Sequence, residues 1–275
     1  MPPEHLPPRL TEQDVLTCGR ARQLAALLGW ETAPTEGDPF PATWLWTLFQ
    51  PAPTAAQTGI DGHPRTGGFL PDTGLPRRMW ASSKLTQTGP FRVGEPVTRC
   101  STVKSVEQKP GRSGRLCFVQ VEHRFESPGG GALNETQVLV YREASTGTYQ
   151  RGTADPSKSI REVDWQEEWA TDPVMLFRYS ALTYNAHRIH YDLPYATGME
   201  GYPGLVVHAP LMATVLIDAY QRHVPGAACQ YCEFRGIQPV FAGQSLFLGG
   251  RHDADVTHLW VMDEDRQPAF AMKVY

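Results

Sequence analysis

The chain has 275 residues, 41% hydrophobic and 20% charged, with a net charge of −4. That length can bury a substantial core in one large or two small domains, and the composition excludes a disordered chain. The mild acidity argues against a nucleic-acid partner, and no apolar run nears the ~20 residues of a membrane span.

Five cysteines, an odd number, do not suggest a disulfide framework. The N-terminus, MPPEHLPPRL, lacks the basic start and apolar stretch of a signal peptide, so a cytoplasmic protein is expected. Thr11 to Trp30 reads as a helix, with Thr11 and Asp14 as its capping pair and Gly29 at its stop. Val15, Leu16, Leu24, Leu27 and Leu28 would form its apolar face. Gly37 to Pro53 is bounded by prolines and carries Trp44, Trp46 and Phe49, a pattern of core or lid packing. Thr54 to Pro76, rich in Gly, Pro, Thr and Asp, reads as loop. Arg77 to Leu85 (RRMWASSKL) reads as a basic, solvated turn.

Three strand-like runs follow, Val97 to Gln108, Leu116 to Phe125 and Thr136 to Tyr141, parted by the turns Lys109 to Gly114 and Ser127 to Gly131. Their alternation predicts an antiparallel meander. Glu143 to Asp172 is polar and reads as a linker, with a short helix near Trp165 to Trp169. After an apolar run, Leu205 to Tyr220, long enough for a buried helix, come short strands at Ala227 to Ile237, Ser245 to Leu248, His258 to Met262 and Phe270 to Val274. The order of helix then strands occurs twice. It divides the chain into residues 1–150, a linker 151–172, and residues 173–275. Cys229 and Cys232 form a lone C-x-x-C, read as two strand residues because no second pair accompanies it.

The stretch Arg178 to Tyr220 carries the chemistry. Asn185, His187, Arg188 and His190 crowd one polar loop, and a Gly201-Tyr-Pro-Gly204 turn leads into the apolar run. A helix N-terminus offers unpaired N–H groups and partial positive charge, while histidine titrates near neutrality. Thr183 to Tyr191 (TYNAHRIHY) and Gly201 to Pro210 (GYPGLVVHAP) resemble the hydratase motif of the MaoC-like enoyl-CoA hydratases. The likeness is to their double-hotdog branch, which includes type 2 hydroxyacyl-thioester dehydratases and mesaconyl-CoA hydratases.

The resemblance implies an α+β double hotdog and a hydro-lyase that interconverts enoyl-CoA and 3-hydroxyacyl-CoA. It implies no cofactor or metal, with coenzyme A entering as the substrate thioester or replaced by an acyl-carrier protein. A homodimer is an assembly it allows. His190 falls at the position of the catalytic histidine, and Ala209, before Pro210, supplies the oxyanion N–H. Asn185 replaces the usual Asp, so either His190 cycles the proton alone or a carboxylate from elsewhere assists. Tyr184, His187 and His208 join the substrate-binding set, His208 being as well explained as a core-edge histidine. Arg188 would meet a substrate carboxylate or a CoA phosphate, or brace the loop through a local ion pair, and Lys84, with Arg77 and Arg78, would meet the CoA phosphates. His187, His190 and Asp192 lack a convincing further ligand for a metal site. A hotdog thioesterase and a non-catalytic thioester-binding module are the alternatives.

Overall fold

The computed structural model describes residues 9–111, 114–144, 147–152, 155–227 and 229–275. The signal-peptide reading of the first eight residues, Arg112-Ser113 of the predicted turn and Ala228 of a predicted strand lie outside them. The elements in chain order are β1 (Leu10–Val15), α1 (Cys18–Leu28), β2 (Pro39–Phe40), β3 (Arg77–Gly89), β4 (Phe91–Arg92), β5 (Pro96–Gly111), β6 (Gly114–Glu126) and β7 (Ala132–Arg142). The second half contains β8 (Trp165–Ala170), α2 (Pro173–Thr183), α3 (Leu193–Gly198), α4 (Ala209–His223), β9 (Tyr231–Gly236), β10 (Ser245–Asp253), β11 (Val256–Met262) and β12 (Pro268–Val274).

Ten of these strands form one antiparallel sheet, in the order β1-β5-β6-β7-β3-β9-β12-β11-β10-β8. Counted inward from each outer edge, both halves run first, third, fourth, fifth, second strand. The repeat expected from the sequence is therefore topological. β3 is the seam, bonded to β7 on one side and to β9 on the other, with Ser83 opposite Phe234.

Three local expectations change. Thr11 lies in β1, an edge strand paired with β5, and Thr17 caps the helix by accepting from the Arg20 N–H. Arg77 to Leu85 is the first part of β3, not a turn. Trp165 to Trp169 is strand β8 against β10, not a helix. All three segments are polar, which weakens the apolar signal on which periodicity depends.

The core shows why the halves differ. In α4, every residue from Leu211 to Tyr220 is buried, because the helix packs against β10, β11 and β12. Each large apolar side chain buried this way contributes about 1.5–3 kcal/mol. Among the described residues, the N-terminal half has no enclosed helix as long as α4. Its α1 packs on α2, and the short 3₁₀ turn Ala42–Thr47 packs on α4. Trp44, fully buried, fills the space there beside Trp30 and Phe40.

Candidate active site

α2 is held at its start by Asp172, whose carboxylate accepts from the Met175 N–H at 2.7 Å. It stops at Tyr184, which turns left-handed with φ 50°. The Asn185 N–H then closes on the Ser180 carbonyl at 2.8 Å. This sharp stop projects the loop Asn185–His190 into a cavity of about 880 Å³ lined from both halves of the chain.

His190 is buried in the cavity wall. Its Nδ1 lies 2.7 Å from the Val206 carbonyl oxygen. A carbonyl only accepts, so Nδ1 carries the proton and Nε2 keeps a free lone pair. Burial holds the imidazole neutral, with its pKa down at about 4, the Val206 bond opposing that shift. His208 stacks on it at 3.6 Å between ring centroids and is bonded through Nε2 to the Ser180 hydroxyl at 2.9 Å. The Nδ1 of His208 is buried without a partner among the described residues, and burial pushes its pKa well down.

Asn185 uses its side-chain oxygen to accept the His187 N–H at 3.0 Å, a local turn that leaves its amide N–H₂ available. Ala209 opens α4 with Pro210 behind it, and both line the cavity. An N–H in the first helical turn has no intrahelical acceptor and suits developing negative charge. Predicted Leu205 to Tyr220, the helix begins four residues later, because Val206 and Val207 bond to Ile189 and Val240 in extended backbone.

The predicted set is only partly assembled. His187, His190, His208, Asn185, Tyr184 and Ala209 all line the cavity. Arg188 is not among the lining residues: it pairs with Asp192 at 2.7 Å, donates to the Ile60 carbonyl and lies over the Tyr195 ring. It braces the loop. Lys84 is also outside the lining; exposed, it faces Glu233 across the β3–β9 ladder at 3.4 Å. Asp192 caps α3.

The stretch Thr54 to Pro76, read from sequence only as loop, contributes directly. His63 packs its ring 4.1 Å from that of His187, and its Nδ1 meets the Asp61 carboxylate at 2.8 Å. Burial and the Arg78 charge lower the His63 pKa to about 4. The signal was a titratable pair within Asp61-Gly-His63, in the Asx-turn spacing that lets Asp61 accept the His63 N–H. Gly62 between them has φ 91°, and a side chain there would overlap the Ala186 carbonyl. Asp61, His63 and His187 each bring one ligand-capable atom within 4.8 Å of the others. Both Asp61 oxygens are already engaged by His63, through its N–H and its ring.

The site thus joins a histidine loop beside the first turn of α4 to a cavity lined from both halves of one ten-stranded sheet. The model of the hydroxyacyl-thioester dehydratase type 2 family matches residues 43–242. The mesaconyl-C(4)-CoA hydratase of Chloroflexus aurantiacus is 36% identical over 268 residues, 96% of this chain and 93% of that protein. The mitochondrial hydroxyacyl-thioester dehydratase type 2 of Schizosaccharomyces pombe is 40% identical over 153 residues, 54% of this chain and 50% of that protein. Among solved structures, a MaoC-like dehydratase from Phytophthora capsici aligns with a TM-score of 0.70 at 18% identity, over 98% of this chain and 95% of that one. HtdX of Mycobacterium tuberculosis aligns at 0.68 and 17%, over 97% and 99%. These two share the fold. The chain belongs to the hydroxyacyl-thioester dehydratase type 2 family.

Proposed function

We propose that this hydro-lyase of the acyl-thioester hydratase/dehydratase class acts on a short enoyl-CoA of the mesaconyl type. The full-length likeness to the Chloroflexus enzyme supports that acyl group. The observation that carries the chemistry is the fixed tautomer of His190 beside the first turn of α4.

In the hydration direction, His190 Nε2 takes a proton from water while the water oxygen bonds to C3. The C2=C3 electron pair moves to C2, and its charge spreads to the thioester oxygen. The Ala209 N–H stabilises that oxygen. The imidazolium then returns its proton to C2, so atoms and charge balance with one histidine. Asn185 orients water or the thioester through its amide N–H₂. No metal or prosthetic group is needed. Both walls of the cavity come from one chain, so a homodimer is not needed to complete it. Five free thiols support a reducing, cytoplasmic setting.

The test is loss of enoyl absorbance on crotonyl-CoA and mesaconyl-C4-CoA with mass analysis of products. Gain of one water is expected; release of free CoA would instead establish a thioesterase. His190→Ala should lower the rate ~10²-fold or more in a protein with an unchanged circular-dichroism spectrum.

A further inference from the structure

We propose that Arg78 is the seat of a carboxylate carried on C3 of the substrate, and so the residue that selects a dicarboxylic acyl group. This rests on the hydratase reading above. Arg78 stands on β3, half-buried in the cavity wall that also holds His63, His187 and His190. The other guanidinium groups of that wall are accounted for differently. Arg77 pairs with Glu200, and Arg99 pairs with Glu12 at 2.6 Å. Arg65 is exposed and donates to the Ala56 carbonyl. Arg142, opposite Arg77 on β7, also has no carboxylate partner among the described residues but, unlike Arg78, is not among the charges acting on His63 and His187. Arg78 has no carboxylate partner among the described residues.

Its surroundings explain that vacancy in its pairing. Asp61 is near enough for Arg78 to favour its ionised form. Yet its Oδ1 accepts the His63 N–H at 3.0 Å and its Oδ2 faces the His63 ring at 2.8 Å. Arg78 also opposes protonation of His63 and His187, which places its charge beside the loop of His190. A partly desolvated guanidinium with no direct ion pair gains from a further anion, and a planar carboxylate fits its fork in two parallel bonds.

Substrate geometry makes the position specific. In a mesaconyl-C4 thioester the free carboxylate is bonded to C3, the carbon that receives the water oxygen. Its receptor must therefore lie beside the catalytic histidine, not at the cavity mouth where CoA phosphates meet solvent. Arg188 and Lys84, the cations favoured by sequence, do not line the cavity.

The experiment compares kcat/KM for mesaconyl-C4-CoA and crotonyl-CoA in the wild-type chain, Arg78→Gln and Arg78→Lys. Crotonyl-CoA lacks the carboxylate, so a folding defect lowers both values and leaves their ratio unchanged. The mesaconyl-to-crotonyl ratio should fall roughly 10²-fold in Arg78→Gln. Lysine, a point charge without the fork, should restore part of it. An unchanged ratio in both variants would overturn the assignment, whether the two rates hold or fall together. So would a wild-type chain that hydrates crotonyl-CoA but not mesaconyl-C4-CoA, while leaving the hydratase reading intact. Hydration of neither substrate would remove that reading and, with it, the role of Arg78.

Discussion

At the scale of single residues, the site depends on groups held in unusual states by their immediate neighbours. His190 and His63 have ordinary pKa values near 6.5 lowered to about 4, first by burial. Protonation therefore favours the unfolded chain. The stability this contributes is complete above about pH 6.5 and is lost as pH falls toward 4. The acid limb of kcat/KM should show the same displacement, flat from pH 8 to about 5 with a midpoint near 4. An observed midpoint at 6.5 would mean that His190 is solvated in the working enzyme. Gly62 poses a steric demand instead, combining φ 91° with direct contact on Ala186. Gly62→Ala should destabilise the chain by about 2 kcal/mol or more and misplace the histidine loop, read together by thermal melting and turnover. The motif from Thr183 to Tyr191 was legible because its spacing is local. His63 was not, because its partner His187 lies more than a hundred positions away.

At the scale of elements, the apolar signal decides what could be read in advance. β6 alternates buried and more exposed residues along its length, and with its neighbours β5 and β7 it was found within a few positions. α4 was found as an apolar run, though its start was not, since Val206 and Val207 are equally apolar in extended backbone. β1 and β8 are the outermost strands of the sheet, where polar side chains meet solvent and β propensity is context-dependent. β3 escaped because both its edges are paired while its residues are largely polar, so long-range pairing outweighs local composition. These contrasts have energetic counterparts. Removing the α1 cap by Thr17→Ala should cost ~1 kcal/mol in chemical denaturation. Leu216→Ala in the enclosed α4, where Leu216 has no exposure, should cost 2–5 kcal/mol by roughly the general rule for buried leucines. Comparable losses in the two variants would contradict the view that α4, not α1, anchors the fold.

At the scale of the whole molecule, the two halves share one strand order but divide the labour. The C-terminal half brings the histidine loop and α4; the N-terminal half brings β3 with Arg78, and His63 from the loop before it. The double architecture was legible as two successive blocks of helix and strands. Their union into a single ten-stranded sheet was not, because it depends on β3 meeting β9, a pairing with no local signature. The first half has no counterpart of the histidine loop: between α1 and the turn at Ala42, residues 29–41 contain no histidine. The symmetry of the strands thus stops short of the chemistry. A single chain should bind one thioester and saturate along a simple hyperbola, with a Hill coefficient of about 1 and no interaction between centres within it.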